Sequence, residues 1–451
     1  MTAVTQPQAR NSTSPAQTAL VALWAFLVVN LVIVELLYFT ASPPAHNTST
    51  AIGRFFGLHL AFVMALQLLL ISRLPFLDRR IGMDRLTTWH RWTGFTLFWL
   101  VLLHPTFVLL GYARLDKLSF FGEIGNLAGQ TPVLLGMTAA VLIWVIAATS
   151  VRAARRRLSY EAWHAIHLLV YVVIVLAIIH QLSEGSAFKT NTLTQLYWWG
   201  LWAFAIGALL TGRLIVPLVR NARHQFKVAA VVPESDNVVS VYTTGRHLDR
   251  LPARAGQFFL WRFPGHNGWW QVNPFSLSAA PDGHALRLTA KGIGATSSGL
   301  RDLPVGTRVF AEGPYGAFTA AQRTRQATVL IAGGIGVTPI RALLEDATLT
   351  GDIVVLYRVR DQAEAVLLGE LQNLAQVRGA HLHVLTGRTG EGSPPNQPFS
   401  PEGLRQLVPD ITERDVFVCG PSAMTDAVLR SLRELRVPSG QVHAETFRLA
   451  S

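Results

Sequence analysis

The sequence predicts a membrane-embedded helical bundle joined to a two-lobed module, one lobe an antiparallel β-barrel and the other a parallel α/β sheet. Two observations carry this. Residues 18 to 219 hold long apolar runs with few acids, whereas residues 223 to 451 read like an ordinary soluble domain. The first part contains six stretches near the ~20 apolar residues that a spanning helix needs. The second opens with short β-branched runs between Gly/Pro turns and continues with strands alternating with helical segments.

Composition supports the division. The 451 residues allow two or three domains, half of them are hydrophobic, 15% are charged and 12 are Trp, a profile unusual for a soluble protein. The net charge of +12 does not point to nucleic acid. Arg73, Arg79, Arg80 and Arg85 form one basic cluster, and Arg152, Arg155, Arg156 and Arg157 form another, both in short loops between apolar segments. That is the positive-inside pattern of a multi-pass protein in a plasma or inner membrane. It places both termini and the soluble part on the cytosolic side, and leaves Arg114, Lys117 and Lys189 in the external loops. The single cysteine, Cys419, rules out an intrachain disulfide and leaves the redox compartment unconstrained. Residues 1–17 read as a cytosolic tail, and the apolar run after them is long enough to be an anchor rather than a cleaved signal.

The spans are expected at 18–40, 51–72, 87–112, 131–151, 160–182 and 196–219, punctuated by clusters such as Ala41-Ser42-Pro43-Pro44. Together they make a membrane domain over 18–222. Barrel strands are expected at 227–232, 238–243, 258–261, 285–290 and 308–311, within a domain covering 223–322. Sheet strands follow at 329–332, 353–357, 381–385 and 415–419, within a domain covering 323–451. Residues 390–401 form a loop rich in Gly, Ser and Pro.

The third span carries His90 and His104, and the fifth carries His164, His167 and His180. An imidazole inside a bilayer is costly and usually functional, and histidine is a standard axial ligand of haem iron. Fourteen helical residues return to within about 40° of the starting face and advance about 21 Å. His90 and His104 can therefore address two haems stacked across the membrane. His167 and His180 lie thirteen apart, about 140° around a straight helix, so either the haem plane rotates or the helix is locally overwound. Core histidines satisfied by their neighbours are the bland alternative.

Histidines spaced fourteen on the third span and thirteen on the fifth, in six spans ahead of a flavin-reductase-like module, resemble the NADPH oxidases and ferric reductases, a family of transmembrane flavocytochromes b. The stretch His167-Leu168-Leu169-Val170-Tyr171 running on to His180 is similar to that family's fifth helix. The resemblance covers nearly all of the chain after about residue 20. It implies an inner haem held by His90 and His167 and an outer haem held by His104 and His180. It also implies a transmembrane oxidoreductase that moves electrons from cytosolic NADPH or NADH, via FAD and two b-type haems, to oxygen or a ferric chelate on the far side. Iron with two histidine ligands has no open position, so the last transfer would be outer-sphere. The alternative is an electron-donor subunit for a periplasmic or membrane redox partner protein. His164, one turn before His167, is an alternative ligand or a partner for a propionate or the headgroups. His59 reads as a polar contact, Arg54 as a propionate contact or a snorkelling side chain, and Arg91 as a neutraliser of an inner propionate.

In the soluble part, Asn273-Pro274-Phe275-Ser276-Leu277-Ser278 resembles the flavin signature of ferredoxin-reductase-like domains, where relatives often have His, or an Arg-x-Tyr version, at the position of Asn273. The resemblance implies that Phe275 stacks on the flavin and that Ser276 hydrogen-bonds the ring near its reactive nitrogen. An aromatic face and a small hydroxyl suit such a ring. About fifteen residues on, Lys291, Gly292, Gly294, Thr296 and Ser297 supply a cation, a glycine loop and hydroxyls suited to the FAD pyrophosphate. Gly313-Pro314-Tyr315-Gly316 resembles the family's turn between lobes. Gly333-Gly334-Ile335-Gly336-Val337-Thr338-Pro339, between a strand and a helix, suits a nucleotide pyrophosphate. Cys419-Gly420-Pro421 matches the element beside the nicotinamide, where Cys419 either positions the ring or packs. Phe447 near the end matches the aromatic that covers the flavin until nicotinamide displaces it. Phe447, Cys419 and Ser276 are thus the catalytic candidates. Arg358, Arg360 and Arg388, following the second and third sheet strands, favour a 2′-phosphate and hence NADPH, with NADH and dual use left open.

Overall fold

The computed structural model describes residues 15–189, 192–264, 272–292, 295–391 and 396–446. Packing divides the described residues into two units: residues 15–74 with Asp84–Leu214, and Pro75–Met83 with residues 215–446.

The first unit is helical. In chain order the helices are α1 (Pro15–Ala41), α2 (Thr48–Leu70), α3 (Pro75–Ile81, which packs with the second unit), α4 (Met83–Asp116), α5 (Phe120–Ala128), α6 (Thr131–Ser150), the short α7 (Arg152–Arg155), α8 (Tyr160–Leu168), α9 (Val170–Glu184), the short α10 (Ser186–Lys189) and α11 (Thr192–Leu210). Among the described residues, six helical stretches are long and apolar enough to cross a membrane, at Thr18–Ala41, Thr48–Leu70, Arg85–Asp116, Thr131–Ser150, Ala162–Glu184 and Thr192–His224. The third and sixth run longer than expected. The sixth continues because a π-helical turn at Thr211–Ile215 carries α11 into α12 (Val216–His224). Asn47 starts α2 with a reciprocal capping box, its side chain accepting from Thr50 N while Thr50 Oγ1 accepts from Asn47 N. Ala61, Val173 and Trp198 are fully buried between helices, while Trp24, Phe39, Phe95 and Trp99 point outward, as in helices whose solvent is hydrocarbon.

The second unit contains two lobes. Strands β1 (Lys227–Ser235), β2 (Val238–Thr244), β3 (Phe258–Arg262), β4 (Asn273–Ser276), β5 (Ala285–Lys291) and β6 (Phe310–Tyr315) form antiparallel sheets β1-β2-β5 and β4-β3-β6. Phe259, Trp261, Leu277 and Leu288 fill the space between them. The short helix α13 (Ala295–Ser298) follows β5. The other lobe is a parallel sheet in the order β11-β10-β7-β8-β9, made of β7 (Thr328–Gly333), β8 (Ile353–Arg358), β9 (His381–Leu385), β10 (Asp415–Gly420) and β11 (Val442–Thr446). Helices α14 (Val337–Glu345), α15 (Leu368–Arg378), α16 (Pro401–Leu407) and α17 (Ser422–Glu434) connect its strands.

Two strands escape the sequence reading for a common reason. β4 contains Pro274 and β11 reads Val-His-Ala-Glu-Thr, and both are edge strands, where a missing donor or a polar face is tolerated. Composition changes near residue 222, but packing draws the boundary at Leu214/Ile215. The reason is α12, which belongs to the barrel: Asn221 Nδ2 donates to Ala311 O at 2.8 Å and its Oδ1 accepts from Ala311 N at 2.9 Å. Pro75–Met83 joins the same unit because Asp78 Oδ2 accepts from Gly316 N at 2.9 Å.

Candidate functional site

The membrane unit sorts its histidines into two facing pairs. The rings of His90 and His167 have centres 6.3 Å apart, and those of His104 and His180 6.5 Å apart. The thirteen-residue mismatch on the fifth span is met by a break between α8 and α9. At Leu169 (φ −59°, ψ −14°) the N–H donates to Ile166 O, three residues back, at 3.1 Å. Such a bond belongs to the tighter 3₁₀ geometry and overwinds the span locally between its two histidines.

The His104–His180 pair is held by helix backbone. Nδ1 of His104 lies 2.9 Å from Gly53 O, and Nδ1 of His180 lies 2.9 Å from Pro132 O. A carbonyl only accepts, so Nδ1 carries the proton in both rings and Nε2 keeps the lone pair that a metal needs. Four residues beyond each carbonyl stands a glycine. A Cβ on Gly57 would come within 2.8 Å of the His104 ring, and one on Gly136 within 2.8 Å of the His180 ring. Each ring rests against bare backbone.

The His90–His167 pair is built differently. Nδ1 of His90 and Nδ1 of His167 are buried without a hydrogen-bond partner among the described residues. His167 stacks on Trp163, centre to centre 5.1 Å at 24°, and the Arg155 guanidinium lies 4.7 Å from that indole. His164 is exposed and sits beside Trp163, while His167 faces His90. His59 bonds Phe55 O and Glu35 Oε1 at 2.8 and 3.1 Å, and Arg54 donates to Pro43 O.

A metal bonded by two imidazoles at the usual ~2 Å holds their ring centres about 6 Å apart. Both pairs have this spacing. Among the described residues no group of three or more His, Cys, Asp or Glu could hold a metal. Two facing imidazoles without further protein ligands fit an iron whose remaining ligands come from a macrocycle.

In the second unit, β4 carries the Asn273–Ser276 motif along the sheet edge. Asn273 Nδ2 donates to Trp261 O at 3.4 Å, Pro274 is exposed, and Phe275 is half-buried, its carbonyl taking Trp261 Nε1 at 3.1 Å. Ser276 Oγ is buried with no partner among the described residues, so a hydroxyl stands ready for a bound group. Lys291 ends β5, and Gly292 N donates to Asn237 O at 2.7 Å. A Cβ on Gly292 would press on Ser298 Oγ at 3.0 Å. Ser297 is half-buried; Gly294, the side chain of Thr296 and Phe447 lie outside the described residues.

The Gly333–Gly336 loop divides its glycines between two tasks. A Cβ on Gly333 would strike Met424, and one on Gly336 would strike Cys419 O, so these two let β7 and α14 close on β10 and α17. Gly420 is likewise confined: a Cβ there would come within 3.1 Å of Gly333 Cα. Gly334 has φ +51° and open space where a Cβ would be, which makes it the position a pyrophosphate can approach. Thr338 Oγ1 donates to Ile335 O at 3.0 Å, and Pro339 is buried in the first turn of α14.

Cys419 is wholly enclosed in the core with Val337 and Ile340. Burial, and then Glu445, push its pKa well up, so it stays a thiol. This placement fits packing; what the residue presents to the loop is its carbonyl. Arg358 pairs with Gly333 in the β7–β8 register. Its NH1 donates to Thr386 O at 2.8 Å, its NH2 is buried with no partner among the described residues, and burial lowers its pKa. Arg388 is exposed, 3.9 Å from Glu391, and Arg360 is exposed as well. Of the three arginines, Arg358 is the one beside the glycine loop.

Sequence reasoning missed Gly57, Gly136 and the carbonyls of Gly53 and Pro132. One signal was present: Gly53 and Gly57 form a small-x-x-x-small pair inside an apolar span, a pattern that permits close approach.

Residues 56–178 match the ferric reductase like transmembrane component, and residues 330–430 match the oxidoreductase NAD-binding domain. Over half of this chain, the ferredoxin reductase component of 3-ketosteroid-9-alpha-monooxygenase from Mycobacterium tuberculosis is 30% identical, and the match spans 65% of that relative. Human dual oxidase 2 is 23% identical over 85% of this chain and 29% of its own length. The FAD/NAD-binding domain of a nitric oxide dioxygenase from Vibrio cholerae aligns with half of this chain and 98% of its own, at 24% identity and a TM-score of 0.41. The chain thus carries a ferric reductase-like transmembrane domain, among six helices long and apolar enough to cross a membrane, and an oxidoreductase NAD-binding domain, and it spans about two thirds of the length of the curated reductase components it matches.

Proposed function

We propose that the protein carries electrons from NADPH across the membrane to a small acceptor, oxygen or a ferric chelate, through one flavin and two haems. The observation that carries this reading is the pair of facing imidazole couples at 6.3 and 6.5 Å. His90 and His167 would hold the inner haem, and His104 and His180 the outer haem about 21 Å further along the helix. The flavin, when bound, supplies the change from two-electron to one-electron chemistry, and the haems supply the path.

The chain's own residues provide the rest. Ser276 offers its buried hydroxyl to the flavin edge, and Phe275 a flat apolar face. Gly334 leaves room for the nucleotide pyrophosphate at the start of α14, and Arg358 NH2 offers a donor to the 2′-phosphate. Gly53 O and Pro132 O fix the proton on Nδ1 of His104 and His180, which would leave Nε2 of each ring free to hold an iron. With the basic loops inside, the reductase module is cytosolic and the outer pair lies toward the opposite face. With His104 and His180 both given to the outer iron, that haem would supply outer-sphere electron transfer rather than an open coordination site for the acceptor.

A second reading has its own support. Reductase components of monooxygenases match the soluble half, including that of the ketosteroid enzyme and the reductase subunit of a glycine betaine monooxygenase from Chromohalobacter salexigens. On that reading the acceptor is a partner protein. The test is the purified, haem-supplemented protein with NADPH. Two low-spin haems per chain, with superoxide formation or ferric-chelate reduction by the protein alone, support the first reading. Turnover only with a co-purifying partner supports the second. A preparation without haem overturns the electron path.

A further inference from the structure

The two lobes of the reductase unit are joined by charged side chains that the reading above leaves without a role. Arg287, in the middle of β5, is only 4% exposed. Its Nε donates to Ser278 Oγ at 3.1 Å and its NH2 to Ser278 O at 2.7 Å, two residues past Ser276. Its NH1 reaches Tyr242 OH at 3.2 Å and both carboxylate oxygens of Glu370, at 2.9 and 3.0 Å. Glu370 belongs to α15 of the nucleotide lobe, where its Oε2 also takes Arg341 Nε at 2.8 Å. Arg341 lies on α14, the helix that starts from the glycine loop, and it pairs with Glu345. Glu345 in turn accepts from Ala280 N, back in the barrel lobe, at 2.6 Å. The stretch from Ser276 to Ala280 is thus tied twice to α14, once through Arg287–Glu370–Arg341 and once through Glu345.

The tie is well made by electrostatic standards. Arg287 is enclosed and Glu370 is partly exposed. Burial raises the Glu370 pKa, but hydrogen bonds and charge from Arg287 and Arg341 outweigh it and hold the carboxyl below its ordinary value. Arg287 NH1 from the barrel lobe and Arg341 Nε from α14 meet on the one carboxylate, which is held from both sides by charge-assisted bonds.

We propose that Arg287, Glu370 and Arg341 are positioning residues for hydride transfer, setting the separation between the flavin held at Ser276 and the nicotinamide nucleotide held at Gly334. The inference rests on those two assignments. Hydride leaves the dihydronicotinamide, which is oxidised, for the flavin, which takes both electrons. Reaction needs the two atoms about 3–3.5 Å apart, and a 1 Å misplacement can cost on the order of a hundredfold. Each lobe holds one reactant, so a loosened tie slows transfer while leaving each site intact.

The experiment is anaerobic stopped-flow reduction of the full-length protein by NADPH, comparing the unmodified chain with Glu370→Gln and Glu370→Asp. An amide donates where Arg287 and Arg341 also donate, so Glu370→Gln should lower the limiting rate of flavin reduction at least tenfold. Its charge-transfer absorbance should weaken, with FAD content and NADP⁺ affinity within twofold of normal. Glu370→Asp keeps the charge on a shorter arm and should fall between. A Glu370→Gln protein that keeps its FAD and reduces it within twofold of the normal rate overturns the proposal. Should Glu370→Gln lose FAD, the decision passes to Glu370→Asp, where an unchanged rate at full FAD content overturns it equally. If the unmodified protein shows no NADPH-dependent flavin reduction, the assignments beneath the proposal fail instead.

Discussion

The membrane unit and the reductase unit fix their parts in place with opposite means. Around the outer histidines the work is done by backbone: two helix carbonyls accept from Nδ1 and two glycines leave room for the rings. Between the reductase lobes it is done by formal charge, with Arg287, Glu370, Arg341 and Glu345 in one network. The dielectric explains the choice. An ionised side chain in hydrocarbon is expensive, whereas a helix carbonyl is already there and needs only an uncovered approach. At a partly hydrated lobe boundary an ion pair can form, because one partner keeps contact with water. Even within the membrane unit the means differ, since His90 and His167 have no partner for Nδ1 and His167 leans on Trp163 instead.

The largest expected effect tests the uncharged cradle. Gly136→Val should push the His180 ring from its seat and remove the outer haem, so that haem absorbance per flavin falls by about half if each pair holds one haem. Gly57→Val should do the same through His104, and NADPH should still reduce the flavin in both variants. Spectra with both haems intact in both variants would break the argument from backbone packing.

The charged side is sharpened by Arg358→Gln. A charge-assisted contact contributes roughly 1.5–3 kcal/mol, so its loss should narrow the preference for NADPH over NADH about tenfold to a hundredfold. The measurement is the ratio of kcat/KM for the two nucleotides. Equal values in the unmodified protein would remove the 2′-phosphate from the account and leave the haem pairs untouched.

The smallest effect is one of pH. Glu370 is held below its ordinary value of 4.5, so its ion pairs add stability above that pH and lose it as pH falls through the depressed value. Thermal melts of the reductase unit should therefore drop between pH 5 and the acid limit less steeply in Glu370→Gln than in the unmodified chain, by about a degree or two given its partial exposure. Identical slopes would show that the network adds geometry without stability.

Residue order and spacing were enough to read six spans, a barrel and a parallel sheet, because hydrophobic periodicity and run length are local properties that survive in one dimension. The family and the reductase class were legible for the same reason. His90, His104, His167 and His180, the Asn273–Ser276 motif and the Gly333–Gly336 loop stand at characteristic positions along the chain. Facing partners were not legible. Why His167 and not His164 meets His90 depends on where α8 breaks from α9 at Leu169, and a straight-helix projection carries no such break. Gly333, Gly334 and Gly336 look alike in sequence; only the approach of Met424 and Cys419 separates those that pack from the one left open. Arg358 and Arg388 look equally suited to a phosphate until register puts one against Gly333 and leaves the other in solvent. Arg287 and Glu370 stand 83 residues apart, with nothing in either neighbourhood to announce the other. Such contacts join elements distant in sequence, and their energies depend on the distance and solvent exposure that folding creates.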